Sequence, residues 1–179
     1  MLVLPPVGGH LVAMGSSGTV RRFRPGVMRV GVISDTHGQL RPEALRALHD
    51  CALILHAGDI GRPEVLAGLQ DLAPRVIAVR GNVDGDWAAA VPERVEVELA
   101  GHRVLLLHDL KELELDPAAA GIDVVVSGHS HRPRLERRDG VLYLNPGSAG
   151  PRRFRLPVAV ARLEVLTQRI DAELVELAV

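Results

Sequence analysis

The sequence predicts a single α/β domain, and three observations carry that prediction. From Met28 onward, short apolar runs alternate with segments of helical spacing in the order β-α-β-α-β. Past residue 93 strictly alternating segments join the apolar runs, the mark of half-exposed antiparallel strands. The 179 residues suffice for one ordinary domain, which buries roughly 70% of its extended surface, and leave no room for a second complete one.

Residues 1–27 show no useful periodicity and carry Pro5-Pro6, Gly8-Gly9, Gly15, Gly18 and the basic Arg21, Arg22 and Arg24. They read as an N-terminal extension, either a disordered tail or a start assigned upstream of the true one, with the domain itself at 28–179. A signal peptide fits poorly, because Pro and Gly break the apolar pieces and the arginines follow them. Apolar runs at 30–34, 52–57, 76–79, 104–107 and 122–127 read as buried central strands. Helical spacing covers 42–49 and 63–72, and each of these opens on a proline, Pro42 and Pro63, suited to a first helical turn. The alternating stretches at 94–99 and 169–174 predict antiparallel strands, and Asp139-Gly140 predicts a hairpin turn between Leu135 and Leu142.

Composition excludes several classes of function. Hydrophobic residues make up 47% of the chain, yet no uninterrupted apolar stretch approaches the roughly 20 residues of a membrane span, so no membrane partner is expected. Twenty-one basic side chains against 22 acidic ones give a formal net charge of −1, with no global pull toward long nucleic acid. The single cysteine, Cys51, lies in an apolar run and has no internal partner, which fits a reducing cytoplasm.

The chemistry-bearing residues collect where the apolar runs end. Five polar clusters follow directly on those runs: Asp35-Thr36-His37-Gly38, Gly58-Asp59, Gly81-Asn82-Val83-Asp84, His108-Asp109 and Gly128-His129-Ser130-His131. Strand ends that lie side by side make such residues converge. Asp35 and His37, like His129 and His131, are two apart and share a face of an extended segment; carboxylate beside imidazole suits a borderline divalent cation. Taken singly, each cluster has an ordinary structural explanation: Asp35 or Asp59 as a helix cap, Gly81-Asn82 as a turn. Five strands ending in ligand-type residues are not accounted for in that way.

The order Asp-x-His, Gly-Asp, Gly-Asn, His, Gly-His-x-His, closing on Asn145-Pro146-Gly147-Ser148, resembles the calcineurin-like metallophosphoesterases, especially their small bacterial and archaeal phosphodiesterase branch. The resemblance spans about residues 28–148. It implies a four-layer α-β-β-α sandwich of two mixed sheets flanked by helices, with two metals at the carboxyl ends of the strands. By position, Asp35, His37, Asp59 and His131 would hold one metal, and Asp59, Asn82, His108 and His129 the other. One shared carboxylate, Asp59, can bridge two cations roughly 3.5 to 4 Å apart. Two dications offset by Asp35, Asp59 and a bridging hydroxide leave a first shell of about +1, a match for a phosphodiester monoanion. The expected reaction is therefore in-line attack of that hydroxide on a small phosphodiester or short nucleotide. Asp59, Asn82 and His108 would carry catalysis, and Asn82 and Arg132 would contact substrate. Mn²⁺ is the expected metal, and Fe, Zn, Co or Ni also suit mixed nitrogen and oxygen ligands.

Two departures from the family pattern bear on mechanism. Many relatives carry histidine directly after the asparagine, where this chain has Val83, so the general acid is unassigned and Asp84 is a weak candidate. After His108, where glycine is common, stands Asp109, expected to face solvent rather than to orient a ligand histidine. His56 is expected in a structural hydrogen bond, His10, His49 and His102 at the surface, and Arg62 beside the ligands as a lesser phosphate contact. Two other functions compete. The same fold resembles a non-catalytic cargo-coat subunit with a degraded metal site, but here all seven ligands are present. A nuclease acting on short nucleic acid is the other, with only 2% aromatic residues for base stacking. Exposed sheet edges leave room for a homodimer.

Overall fold

The computed structural model describes residues 26–153 and 155–179 together with the backbone of Leu2–Val3. The expectation for the extension at 1–27, and with it His10, therefore falls almost wholly outside the described residues. Among the described residues the strands and α-helices follow in the order β1 (Leu2–Val3), β2 (Met28–Ile33), α1 (Pro42–Leu48), β3 (Leu53–Ala57), α2 (Pro63–Leu72), β4 (Val76–Val79), β5 (Arg94–Leu99), β6 (His102–Leu107), β7 (Val124–Val126), β8 (Arg134–Arg138), β9 (Val141–Asn145), β10 (Ala159–Leu166) and β11 (Arg169–Glu176).

They form two mixed sheets. One has the order β11-β10-β2-β3-β4, with β2, β3 and β4 parallel and β10 and β11 antiparallel. The other has the order β1-β5-β6-β7-β9-β8, with β6, β7 and β9 parallel. Alternate residues of each strand meet between the sheets: Val30 and Val32, Leu53 and Leu55, Ala161 and Leu163 face Val104 and Leu106, Val124 and Val126, Leu142 and Leu144. Burying each of these leucines contributes about 1.5 to 3 kcal/mol. Strand β10 has no counterpart among the expected elements. It is a central strand, bonded to β2 on one side and β11 on the other; one face, Ala159, Ala161, Leu163 and Val165, is wholly apolar, while Arg162 and Glu164 interrupt the other.

Both α-helices cover the outer face of the first sheet, where Ala44, Leu48, Val65 and Leu69 pack on Ile33, Ile54 and Val160. Each has proline in its first turn, as the sequence predicts. Gly31 makes the close approach of α1 possible, since a Cβ there would stand 2.9 Å from Leu48 Cδ2. The outer face of the second sheet, Leu105, Leu107, Val125 and Val141, is covered by Ile122, Leu110, Leu113 and Ala120. The expected four-layer sandwich is thus present, its fourth layer reduced to a 3-10 turn at Leu110–Glu112 and the chain after it. Among the described residues no helix is long and apolar enough to cross a membrane.

Candidate metal centre

All five clusters sit just past the carboxyl ends of parallel strands. Strands β2, β3 and β4 deliver Asp35 and His37, Asp59, and Asn82 from one sheet; β6 and β7 deliver His108, and His129 with His131, from the other. The turns that aim these side chains inward are strained. Asp35, His37, Asp59, His129 and His131 all have positive φ, between 46° and 65°, a conformation that costs a non-glycine residue of order 1 kcal/mol or more. Backbone bonds hold them there, among them Asp35 N–H to the Gly58 carbonyl at 3.0 Å and His37 N–H to the Asp59 carbonyl at 2.9 Å. The neighbouring glycines leave the necessary space: a Cβ on Gly81 would lie 2.2 Å from Asp59 Oδ1, and one on Gly58 2.5 Å from His108 Nδ1. The Asn145-Pro146-Gly147-Ser148 segment fixes the turns from behind. Asn145 Nδ2 donates to the Gly128 carbonyl at 2.6 Å, and Ser148 Oγ donates to the Asp35 carbonyl at 2.9 Å.

In one half of the cluster, ligand atoms of Asp35, His37, Asp59 and His131 lie within 4.8 Å of one another. Asp35 Oδ1 stands 3.2 Å from His131 Nε2, which in turn is 3.4 Å from His37 Nε2. In the other half, the Asn82 carbonyl oxygen is 3.2 Å from His108 Nε2 and 3.0 Å from His129 Nδ1. Asp59 belongs to both, with Oδ2 3.9 Å from His37 Nε2 and Oδ1 3.3 Å from His108 Nε2.

Two observations show that the first half suits a cation. Asp35 Oδ1 and His131 Nδ1 are buried and, among the described residues, have no hydrogen-bond partner, a costly state for a carboxylate oxygen unless a positive ion meets it. Burial also pushes the Asp35 carboxyl up to about 6 and His131 down to about 4, the nearby His37 and Arg153 adding to the latter shift. Burial lowers His37 too, against the opposing pull of Asp59. Both imidazoles are therefore neutral at pH 7, with lone pairs to give. His108 differs. Burial opposes its protonation, but the bond to Asp59 and the Ala57 carbonyl 2.7 Å from Nδ1 outweigh that and hold it at about 8. Since Nδ1–H points at that carbonyl, a proton and a metal ion compete for Nε2. Asp59 itself is lowered: burial works the other way, but His108 and the Val83 N–H, 3.1 Å from Oδ1, prevail.

The structure thus brings Asp35, His37, Asp59, Asn82, His108, His129 and His131 together; the expected turn at Gly81-Asn82 is there, closed by Asp84 N–H to the Gly81 carbonyl at 3.3 Å, but helix capping does not account for the aspartates. Neither helix has a side-chain cap, so Asp35 and Asp59 do not serve as caps. Asp84, the weak candidate for general acid, accepts backbone N–H bonds from Ile60, Gly61 and Gly81 at 3.1, 2.7 and 2.8 Å and acts as a clamp between two ligand loops. Asp109 does not simply face solvent. Its Oδ1 caps the turn at Leu110–Glu112 by accepting from Lys111 N–H at 3.0 Å, and its Oδ2 lies 3.6 Å from His129 Nε2. Arg62 donates to the Gly38 carbonyl at 2.6 Å and so braces the first ligand turn. His56 is structural as expected. The Thr36 hydroxyl donates to Ile60 O and so accepts from His56 Nε2 at 2.9 Å, while His56 Nδ1 accepts from Gly58 N–H at 3.2 Å. His49 is exposed, but His102 is half-buried and bonded to the Leu166 carbonyl at 2.8 Å, a contact that needs the late strand β10. Arg132 is exposed beside His131. Arg153, which no motif in the sequence singles out, lies close enough for its charge to act on both His37 and His131.

Two mixed sheets joined at their strand ends by a carboxylate and histidine cluster define a class of α/β sandwich built to hold metal. A profile of the calcineurin-like phosphoesterase superfamily domain matches residues 28–168, and the chain belongs to that superfamily. It is 38% identical over 160 residues to a protein of Methanothermobacter thermautotrophicus described as a "probable metallophosphoesterase", spanning 83% of this chain and 92% of that one. The solved structure of an archaeal phosphodiesterase is similar with a TM-score of 0.69 at 25% identity, over 83% of this chain and 100% of that one. Vps29 of Chaetomium thermophilum gives a TM-score of 0.70 at 18% identity, over 83% of this chain and 97% of its own, a likeness of fold alone. Membership of the family, with the Asp35, His37, Asp59 and His131 cluster, makes this chain a metal-dependent phosphoesterase.

Proposed function

We propose that the protein hydrolyses the phosphodiester bond of a small substrate at a centre of two divalent cations. Asp35, His37, Asp59 and His131 hold one ion; Asp59, Asn82, His108 and His129 hold the other. The observation that carries this reading is the placing of Asp59, one carboxylate oxygen turned toward His37 and the other toward His108. Cations held by these residues would supply Lewis acidity to the phosphoryl oxygens and would lower the pKa of a bound water.

The chain's own groups supply the rest. Asp59 and His108 fix the separation and orientation of the two halves, and Asn82, a neutral amide, leaves the centre net positive for a diester anion. Arg132, exposed beside His131, supplies a guanidinium to the substrate phosphate. Val83 offers no proton to a leaving alkoxide, which favours diesters with good leaving groups over monoesters. Mn²⁺ is the metal proposed, and mixed oxygen and nitrogen donors accept Fe, Zn, Co and Ni as well; a cytoplasmic site of action accords with the buried thiol of Cys51.

The test is hydrolysis of bis(p-nitrophenyl) phosphate and of p-nitrophenyl phosphate by metal-stripped protein, with and without Mn²⁺. Mn²⁺-dependent turnover of the diester, faster than of the monoester, is the expected result. Full metal occupancy with no turnover of either ester would overturn the reading and favour a binding role on this fold.

A further inference from the structure

Strands β8 and β11 each end a sheet, and among the described residues neither has a strand on its outer side. They lie on the same side of the sandwich, where the Arg137 guanidinium of β8 donates to the Ile170 carbonyl of β11 at 3.2 Å. Their directions follow from the pairings. β11 is antiparallel to β10, itself antiparallel to β2, so β11 runs with β2 toward the metal centre. β8 is antiparallel to β9, which is parallel to β7, so β8 starts at the metal-centre end and runs away from it. The bond from Arg137 to Ile170 therefore closes this edge at the end remote from the metal centre. Near the metal centre the edge stays open. Leu135 is in register with Leu144, and Leu174 with Ala161. Leu144 and Ala161 belong to the core between the sheets, and cross-strand neighbours share a face, so both leucines face inward. Yet they are 41% and 37% exposed, and forfeit the burial that their position offers.

The two edge strands carry opposite charge. β8 has Arg134, Arg137 and Arg138 against Glu136, and β11 has Asp171, Glu173 and Glu176 against Arg169. Pairs within each strand, Glu136 with Arg134 and Arg138 and Asp171 with Arg169, leave that imbalance in place. Charge on an edge strand ordinarily keeps edges apart. Here it opposes β8 against β8 and β11 against β11, and it favours β8 against β11.

We propose that this edge is the interface of a homodimer, in which β8 of each copy lies antiparallel to β11 of the other and Leu135 of each lies against Leu174 of the other. A two-fold axis along the strands makes both pairings at once. Such an axis preserves strand direction, and β8 and β11 run oppositely within one chain, so each pairing is antiparallel. It also keeps the open ends level, so the leucines of both copies meet in one apolar cluster. An axis perpendicular to the sheets sets like charge against like, and sets the leucines of one copy against the closed end of the other. Charge and apolar exposure thus select the same symmetry independently. Both metal centres then open at the same end of the dimer. The inference is independent of the phosphodiesterase reading.

Sedimentation equilibrium of the full chain over a range of concentrations tests this, for the wild type, Leu135→Asn, Leu174→Asn and Leu115→Asn. Leu115 is comparably exposed, at 38%, but lies between β6 and β7, away from the edge strands. The wild type should be a dimer. Leu135→Asn and Leu174→Asn should each weaken it at least about tenfold, because each change enters the interface twice, and Leu115→Asn should leave it unchanged. Cross-linking then reads the pairing itself. Leu135→Cys and Leu174→Cys proteins, oxidised with diamide, should form a disulfide-linked dimer when mixed and far less of it when kept apart; Cys51 is buried and does not compete. A monomeric wild type, a dimer indifferent to both leucine substitutions, or a mixture that cross-links no better than its two components overturns the proposal.

Discussion

The two halves of the metal centre are built on different principles. Around Asn82, His108 and His129 every ring is held by a neighbour: His108 by the Ala57 carbonyl and Asp59, His129 by Asn82 and the nearby Asp109. Around Asp35, His37 and His131 a carboxylate oxygen and a ring nitrogen are buried with no hydrogen-bond partner among the described residues. One half is satisfied by the protein; the other is completed only by a cation. Folding alone therefore leaves a cost in the first half that metal binding removes, so metal affinity and fold stability are linked there more strongly than in the second.

The largest effect comes from the residue the halves share. Asp59→Asn should abolish Mn²⁺-dependent diester hydrolysis and lower the number of bound ions per chain, measured by kinetics and elemental analysis; undiminished stoichiometry would show that the two halves do not depend on a common carboxylate.

Asp35→Asn separates stability from metal binding. The folded pKa of Asp35 is raised from an ordinary 3.8 to about 6, so its contribution to stability is full below about 4 and is lost as pH rises through 6. In metal-free protein at pH 8 the ionised group thus costs about 3 kcal/mol, an upper figure from the shift alone. The amide variant should be more stable than the wild type at pH 8 without metal, less so at pH 4, and should gain no thermal stability from Mn²⁺. Equal stabilisation of both proteins by Mn²⁺ would contradict the account of the first half.

His56 lies behind both halves. Burial lowers it from 6.5 to about 3, so its contribution is present above 6.5 and is lost as pH falls toward 3. Urea unfolding at pH 7 and pH 5 should show the wild type losing about 2 kcal/mol more than His56→Gln over that interval. Parallel pH dependences would mean that the imidazole already carries a proton in the fold. The smallest effect expected is that of Asp109→Ala, which removes an orienting group from the satisfied half and should weaken Mn²⁺ binding there by about tenfold, read by calorimetry.

Much of this was open to a reading of the chain, and for an identifiable reason. Parallel strands announce themselves as apolar runs, and a ligand directly after each run needs no long-range information, so Asp35, Asp59, Asn82, His108, His129 and His131 are legible from position alone. Helices α1 and α2 are legible from Pro42 and Pro63. What stays hidden depends on partners distant in sequence. Strand β10 shows only a brief alternation, at 162–165, because its first residues are buried on both faces. Asp84 looks like any turn aspartate until the Ile60 and Gly61 N–H groups arrive from another loop. Asp109 meets His129 only because β6 and β7 are neighbours, and Ser148 reaches the Asp35 carbonyl from more than a hundred residues away through an irregular segment after β9.

The central claim is that one carboxylate joins two cation sites. Titration of metal-stripped protein with Mn²⁺, followed by calorimetry and electron paramagnetic resonance, tests it most directly. Two ions per chain with a spin-coupled signal, both lost in Asp59→Asn, is the predicted result. A single ion, or two ions without magnetic coupling, would contradict it.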